Sequence, residues 1–447
     1  MERRNFLGKF GIGAAAFGMA AANVSAQARA AKDTTEKNSF RTVDFGAVGN
    51  GIADDTDAIQ RAIDAAHDLG GGTVYLDGSG GRNFKCARQL TFDDRRGIRI
   101  SGGSGPNIAA IGQREAQLTY SGKAAPFISM RSCYSITLEA MKITYSDPSF
   151  NGSLLLTGHN PKAIADPAYL LFDQCRFSGV GKANRAGALV DLSMAICSTL
   201  RNCEFQGADI GIVGAAAKGV YSNAIQVTDC IFRDLRRTAI LNAVESWMIS
   251  GCAFEPLMDG RAGAFEQTIG YAWGLVILGC WMGDVSKPGG CWIDFSHGST
   301  LGMTIIGNRM SPAGTDPRDT AIKIGPGSQG ITIAGNRIEG PICIDITGGP
   351  NRGVTITGND LQSNVPIANL QRANPHFVAG NSTTENSMSG AVKFDAATFN
   401  GDGVRGNINL TPQTFGPPTK PQNGDVWTTN EGMFVRINGV TRKVALS

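Results

Sequence analysis

A chain of 447 residues is long enough for two or three ordinary domains or for one long repetitive one. It holds 59 glycines and only 18% charged residues, with no Leu- or Ala-rich heptads beyond residue 70, which favours a turn-dense β protein and disfavours a helical bundle. The net charge of +3 falls to +1 without residues 1–28, which carry Arg3, Arg4 and Lys9 against Glu2, so no electrostatic footprint for nucleic acid remains.

Residues 1–28 have a charged start with paired Arg3 and Arg4, an Ala/Gly-rich apolar run and the small-residue site Ala26-Gln27-Ala28. This reads as a twin-arginine-type export signal, with a periplasmic or secreted destination. Its apolar run is shorter than the ~20 residues a membrane span needs, so no membrane association is expected after its removal. Residues 29–40 read as a linker.

Residues 41–80 form the next unit. After a Gly-rich loop, Asp54, Asp55 and Thr56 are N-cap candidates, and Ile59, Ala62, Ile63 and Ala66 share one helical face. Gly70 to Gly72 end this helix and a TVYL strand follows. An amphipathic helix placed here suits the lid that the apolar end of a solenoid requires.

A phrase then recurs to about residue 380. LLFDQCRF, STLRNCEF, IQVTDCIF, WMISGCAF and LVILGCWM are followed by TIIGNRM, TIAGNRI and TITGNDL. The copies recur every 22 to 28 residues. Such a period, with short β segments and Gly-rich corners, predicts stacked coils in which like positions form columns about 4.8 Å apart. Cys175, Cys203, Cys230, Cys252, Cys280, Asn308, Asn336 and Asn359 then share one inward corner ladder, with the cysteines unoxidised. No CxxC pair or Cys/His cluster offers a metal site.

The entry stretch, in Asp44-Phe45-Gly46-Ala47, Asp54-Asp55-Thr56, Ala58-Ile59 and the Gly run before TVYL, resembles the pectate-lyase superfamily of right-handed parallel β-helices. That group also includes polygalacturonase-like hydrolases and phage tailspikes. The chain departs from the pattern at Asn50, where Asp is usual, and at Asp77, where Pro is usual. The resemblance implies an all-β, single-stranded solenoid over residues 41–380. Its chemistry stays open, because the superfamily hosts lyases, hydrolases, epimerases and non-catalytic adhesins.

About 14 residues before the ladder residue of their coils stand Glu266, Asp294 and Asp345, with Lys323 at 13. Asp294, Lys323 and Asp345 lie between apolar neighbours and Glu266 follows Phe265; each is expected to face outward, so the four should climb one face on successive coils, with Asp191 extending the column downward. Neighbouring carboxylates suit glycoside hydrolysis, whereas elimination on a uronic acid polymer needs a base and a cation. Asp294, Glu266, Lys323 and His297 are the catalytic candidates. Tyr271, Trp273 and Trp292, in a stretch that also holds Trp247 and Trp281, are candidates for sugar stacking, and Arg261, Arg237 and Asp345 for substrate contacts. The expected partner is a polysaccharide, and the first reading is a lyase acting on an acidic polymer. A tailspike- or polygalacturonase-like hydrolase and a non-catalytic glycan-binding solenoid are the alternatives. The NTD and GHG signatures of the polygalacturonase-like hydrolases are not found, and DD occurs only at Asp54-Asp55 and Asp93-Asp94, away from the repeat. No cofactor is assigned, and a Ca²⁺ requirement is left open.

Residues 381–416 read as an irregular linker. Residues 417–447 alternate apolar and polar residues as a small β meander similar to C-terminal modules of phage tail proteins, which allows a homotrimer.

Overall fold

The computed structural model describes residues 38–76, 81–103, 116–158, 166–180, 187–255, 262–269, 271–283, 290–311, 316–346, 349–363, 365–369, 376–383, 426–429 and 432–443. The segment 1–28 read as an export signal, Asp77 and the span 384–425 lie outside the described residues. The chain divides into two compact units, up to Phe394 and from Asp395 onward.

In the first unit, short strands visit three sheets in rotation. The first sheet has 13 strands from Ser39–Arg41 to His376–Ala379, the second 13 from Asn50–Asp54 to Ser382–Thr383, and the third 11 from Leu90–Thr91 to Val365–Ala368. Pairing within each is parallel throughout, between equivalent positions of consecutive coils. This is a right-handed parallel β-helix. Its ends reach slightly beyond the expected bounds. Ser39 and Phe40 already pair with Thr73 and Val74, and Ser382–Thr383 still pairs with Asp360 and Leu361.

The helix Thr56–Asp68 buries Ile59, Ala62, Ile63 and Ala66 completely against the first coils. Asp55 occupies the N-cap position but makes no side-chain cap. Its carboxylate instead accepts the backbone N–H groups of Val48 (2.6 Å) and Gly49 (3.1 Å), tying down the preceding loop. Gly70 and Gly71 end the helix by donating to His67 and Ala66 carbonyls.

The corner between the first and second sheets carries the ladder. Asn308 Nδ2 donates to the Ile277 carbonyl of the coil below (3.1 Å), and the Asn308 backbone N–H donates to Asn336 Oδ1 (2.9 Å). The same pattern continues through Asn336 and Asn359 to Asn381. In the lower coils thiols donate to the equivalent carbonyls, Cys175 to Leu138 and Cys203 to Phe172, at 3.3 and 3.4 Å. All ten cysteines are free thiols. The residue before each rung is left-handed, as at Gln174 (φ 53°), Asn202 (53°) and Asp229 (52°), and at Gly307 (66°). At Gly307 an added Cβ would meet nothing within 4 Å, so the backbone angle and not space calls for glycine. Just past the ladder, Phe177, Phe205, Phe232 and Phe254 stack inside the coil with centroids 4.8 to 5.3 Å apart, at the strand spacing.

The second unit contains an antiparallel meander of Val426–Thr429, Gly432–Ile437 and Val440–Lys443.

Candidate functional site

The site rests on the third sheet. Along Cys291–Phe295, Ile293 and Phe295 enter the core while Asp294 is half-buried on the outer side. Register then does the rest. Glu266 pairs with Asp294, Asp294 with Lys323, Lys323 with Asp345, and Asp345 with Ala368. Four polar residues therefore stand on consecutive coils, separated by about one strand spacing, ~4.8 Å. Asp191 is in the same column but three coils below Glu266, with Val213 and Leu241 between.

The four groups have different partners. Arg237 grips Glu266 in a bidentate pair, Nε to Oε2 and Nη2 to Oε1, both 2.8 Å, so both carboxylate oxygens are engaged. Asp294 Oδ1 accepts the Ser296 N–H at 3.0 Å and the Ser296 hydroxyl at 2.5 Å. Asp345, 8% exposed, accepts Asn369 Nδ2 at 2.8 Å. Lys323 has no ion pair or side-chain hydrogen bond among the described residues. It is a half-buried ammonium in register between two carboxylates, available to a ligand.

His297 is exposed and its Nδ1 lies 3.2 Å from Ser296 Oγ. The single hydroxyl proton of Ser296 is committed to Asp294, which only accepts when ionised. Nδ1 must therefore be the donor in this contact. The neutral ring then carries its proton on Nδ1, and Nε2 is left as an unprotonated acceptor.

Tyr271 and Trp273 flank the buried Ala272 on the corner that follows Glu266, 42% and 57% exposed. Tyr271 Oη donates to Glu245 Oε1 at 3.2 Å. Trp292 does not join them. It is fully buried, with Nε1 unpartnered, and its ring lies against the Gly263 backbone, where a Cβ would come within 2.4 Å of it. The register shifts between Ala262 and Phe265, and this irregularity admits the indole. Trp292 is thus scaffold and not a sugar platform. Trp247 is also buried, donating from Nε1 to Ser222 Oγ at 3.1 Å, and Trp281 is on the second sheet. A cluster in sequence disperses because each coil distributes its residues over three faces. Arg261 lies outside the described residues. Among the described residues no group of three or more His, Cys, Asp or Glu side chains is placed to hold a metal ion.

Sequence reasoning missed Ser296, Asn369 and Glu245. Ser296 carried one signal, a hydroxyl two residues past a strand-ending Asp, where it can close on that carboxylate. Burial raises the Asp191 carboxyl above its ordinary value, opposed by hydrogen bonds from the Ser193 hydroxyl and N–H.

No known family profile matches the chain. Over 37 residues, 8% of the chain, it is 68% identical to mannuronan C5-epimerase AlgE1 and 70% identical to alginate lyase 7, both from Azotobacter vinelandii. Those stretches are 3% and 4% of the two relatives, so the chain spans a small fraction of their length. Among solved structures, the A-module of mannuronan C-5 epimerase AlgE4 from Azotobacter vinelandii superposes with a TM-score of 0.50 at 16% identity, covering 78% of this chain and 100% of that one. DFA-IIIase from Arthrobacter chlorophenolicus A6 does so with 0.53 at 11%, covering 79% and 100%. With three long parallel sheets in the chain itself, these likenesses make the fold that of a right-handed parallel β-helix.

Proposed function

We propose that the protein is a carbohydrate-active enzyme, exported by its N-terminal signal, that cleaves an acidic polysaccharide by elimination on the third-sheet face. The observation that carries this reading is the Lys323 ammonium, without an ion pair or side-chain hydrogen bond among the described residues, in register between Asp294 and Asp345, with His297 three residues past Asp294 as the base. The carbon next to a uronate carboxylate is weakly acidic. Lys323 would neutralise that carboxylate and stabilise the negative charge as His297 Nε2 removes the adjacent proton. The electron pair then forms a carbon–carbon double bond as the glycosidic bond on the next carbon breaks. The departing oxygen takes a proton from water while His297 returns the abstracted proton to the solvent, and an unsaturated uronate end remains.

The hydrolase reading is weakened by Arg237, which occupies both oxygens of Glu266 and leaves Asp294 without a free carboxylate one coil away. Epimerisation is the second reading, favoured by the epimerase names among the relatives. It shares the proton abstraction and differs only in that the carbon is reprotonated on its other face.

Incubating the purified protein with alginate and with polygalacturonate, while following ultraviolet absorbance of unsaturated ends and NMR exchange of the proton beside the carboxylate in heavy water, separates these. Absorbance supports elimination. Exchange without absorbance shifts the assignment to epimerisation, and neither signal on a protein that binds the polymer leaves a glycan-binding solenoid.

A further inference from the structure

Five of the eight exposed aromatic side chains among the described residues, Tyr134, Tyr169, Tyr221, Tyr271 and Trp273, stand on one corner of the solenoid, where the third sheet turns into the first. The turns there are held in register by an unbroken run of bridges from Tyr134 through Asn223 and Glu245 to Trp273. Tyr169 directly follows the bridge residue of its coil, and Tyr221 and Tyr271 stand two residues before theirs. The aromatic side chains therefore follow the axis on four of six consecutive coils, with gaps at the coils of Ile196 and Glu245, and end on the coil of Glu266.

The line is organised. Tyr134 and Tyr169 meet edge to face with centroids 5.0 Å apart. Glu245 is oriented by two donors, Asn223 Nδ2 at 3.1 Å and Tyr271 Oη at 3.2 Å. Next to it lies a small apolar depression between Val220, Val244, Ile269 and Tyr271, with Lys218 also in its wall.

We infer that this corner is a track for a linear acidic polysaccharide, lying along the solenoid axis and leading to the reactive coils. The identity of the polymer rests on the function proposed above; the track itself does not. A globular partner would need a broad patch of roughly 800 Å² per side, whereas these rings form a narrow file interrupted by the polar Asn223 and Glu245. That alternation suits a pyranose chain, whose C–H faces stack on rings while its hydroxyls reach a carboxylate acceptor. Lys218 supplies a cation for its carboxylates. The track predicts that affinity grows with chain length, because a short oligomer covers only one or two rings.

The test is calorimetric titration of the full chain with long-chain sodium alginate and with an alginate trisaccharide, using wild type, Tyr134→Ala/Tyr169→Ala and Tyr134→Phe/Tyr169→Phe. Wild type should bind the long chain at least tenfold more tightly. The double alanine variant should lose roughly tenfold on the long chain, equivalent to about 1.4 kcal/mol, and the double phenylalanine variant should keep most of the affinity because the ring face is what binds. Melting curves of both variants check folding. A double alanine variant that melts normally and binds the long chain like wild type overturns the track, as does wild type with no preference for length on alginate, polygalacturonate or hyaluronan. Since no turnover is read, a protein that binds long chains without cleaving them keeps the track and sinks only the reaction.

Discussion

At the scale of single residues, the column separates groups that the sequence presents as equals. Glu266 is held by Arg237, Asp345 by Asn369, and Asp294 by Ser296, while Lys323 has no partner among the described residues. Lys323→Met should therefore lower kcat/KM on an acidic polymer by roughly a hundredfold or more, because it removes the charge facing the developing anion. Ser296→Ala should lower kcat mainly, by about tenfold, since His297 loses the contact that orients its ring. Steady-state kinetics across pH would check both. Asp191 offers a stability test. With its folded pKa raised by burial, its contribution to stability is complete below the unfolded value of 3.8 and is lost as pH rises through the folded pKa. Ionised at neutral pH it is a cost. Asp191→Asn keeps an acceptor for the Ser193 N–H without the charge, so its melting temperature should exceed that of wild type at neutral pH and converge with it in acid.

At the scale of elements, the ladder corner shows one niche filled by two chemistries. A thiol and an amide both donate to the carbonyl of the coil below, but only Asn also accepts the backbone N–H of the preceding rung. Asn336→Ala would leave the Asn308 N–H buried and unpaired, at a cost of about 2 kcal/mol in denaturant unfolding, while the Ile305 carbonyl keeps its strand partner. Gly307→Ala should cost about 1 kcal/mol through its left-handed backbone alone, and Asp229→Gly should recover a similar amount. The spacing from ladder to column was legible because strand alternation and ladder register are both strict, so 14 residues back from Asn308 reaches the residue opposite Glu266. Trp292 was not legible. An apolar strand residue looks the same whether it stacks on a ligand or fills a bulge, and the bulge opposite it depends on Gly263 in another coil.

At the scale of the molecule, the solenoid needs no crosslinks. Each coil buries its apolar residues on the next, and nine of the ten thiols are buried inside. A thiol reagent should therefore modify Cys197 alone in the native protein and all ten after denaturation, and reductant should leave the melting temperature unchanged. A reductant-sensitive melt would contradict the free-thiol core.

Length, glycine content, the repeat and the entry motif by themselves determined a capped β-solenoid and the face on which Glu266, Asp294, Lys323 and Asp345 align, because these follow from local period and register. Only the tertiary structure decided which of those groups is paired. Arg237 and Glu266, 29 residues apart, meet because coils stack, and Tyr134 and Trp273 share a corner for the same reason. Period places residues in columns, but the partners of a side chain depend on every coil and turn that packs beside it.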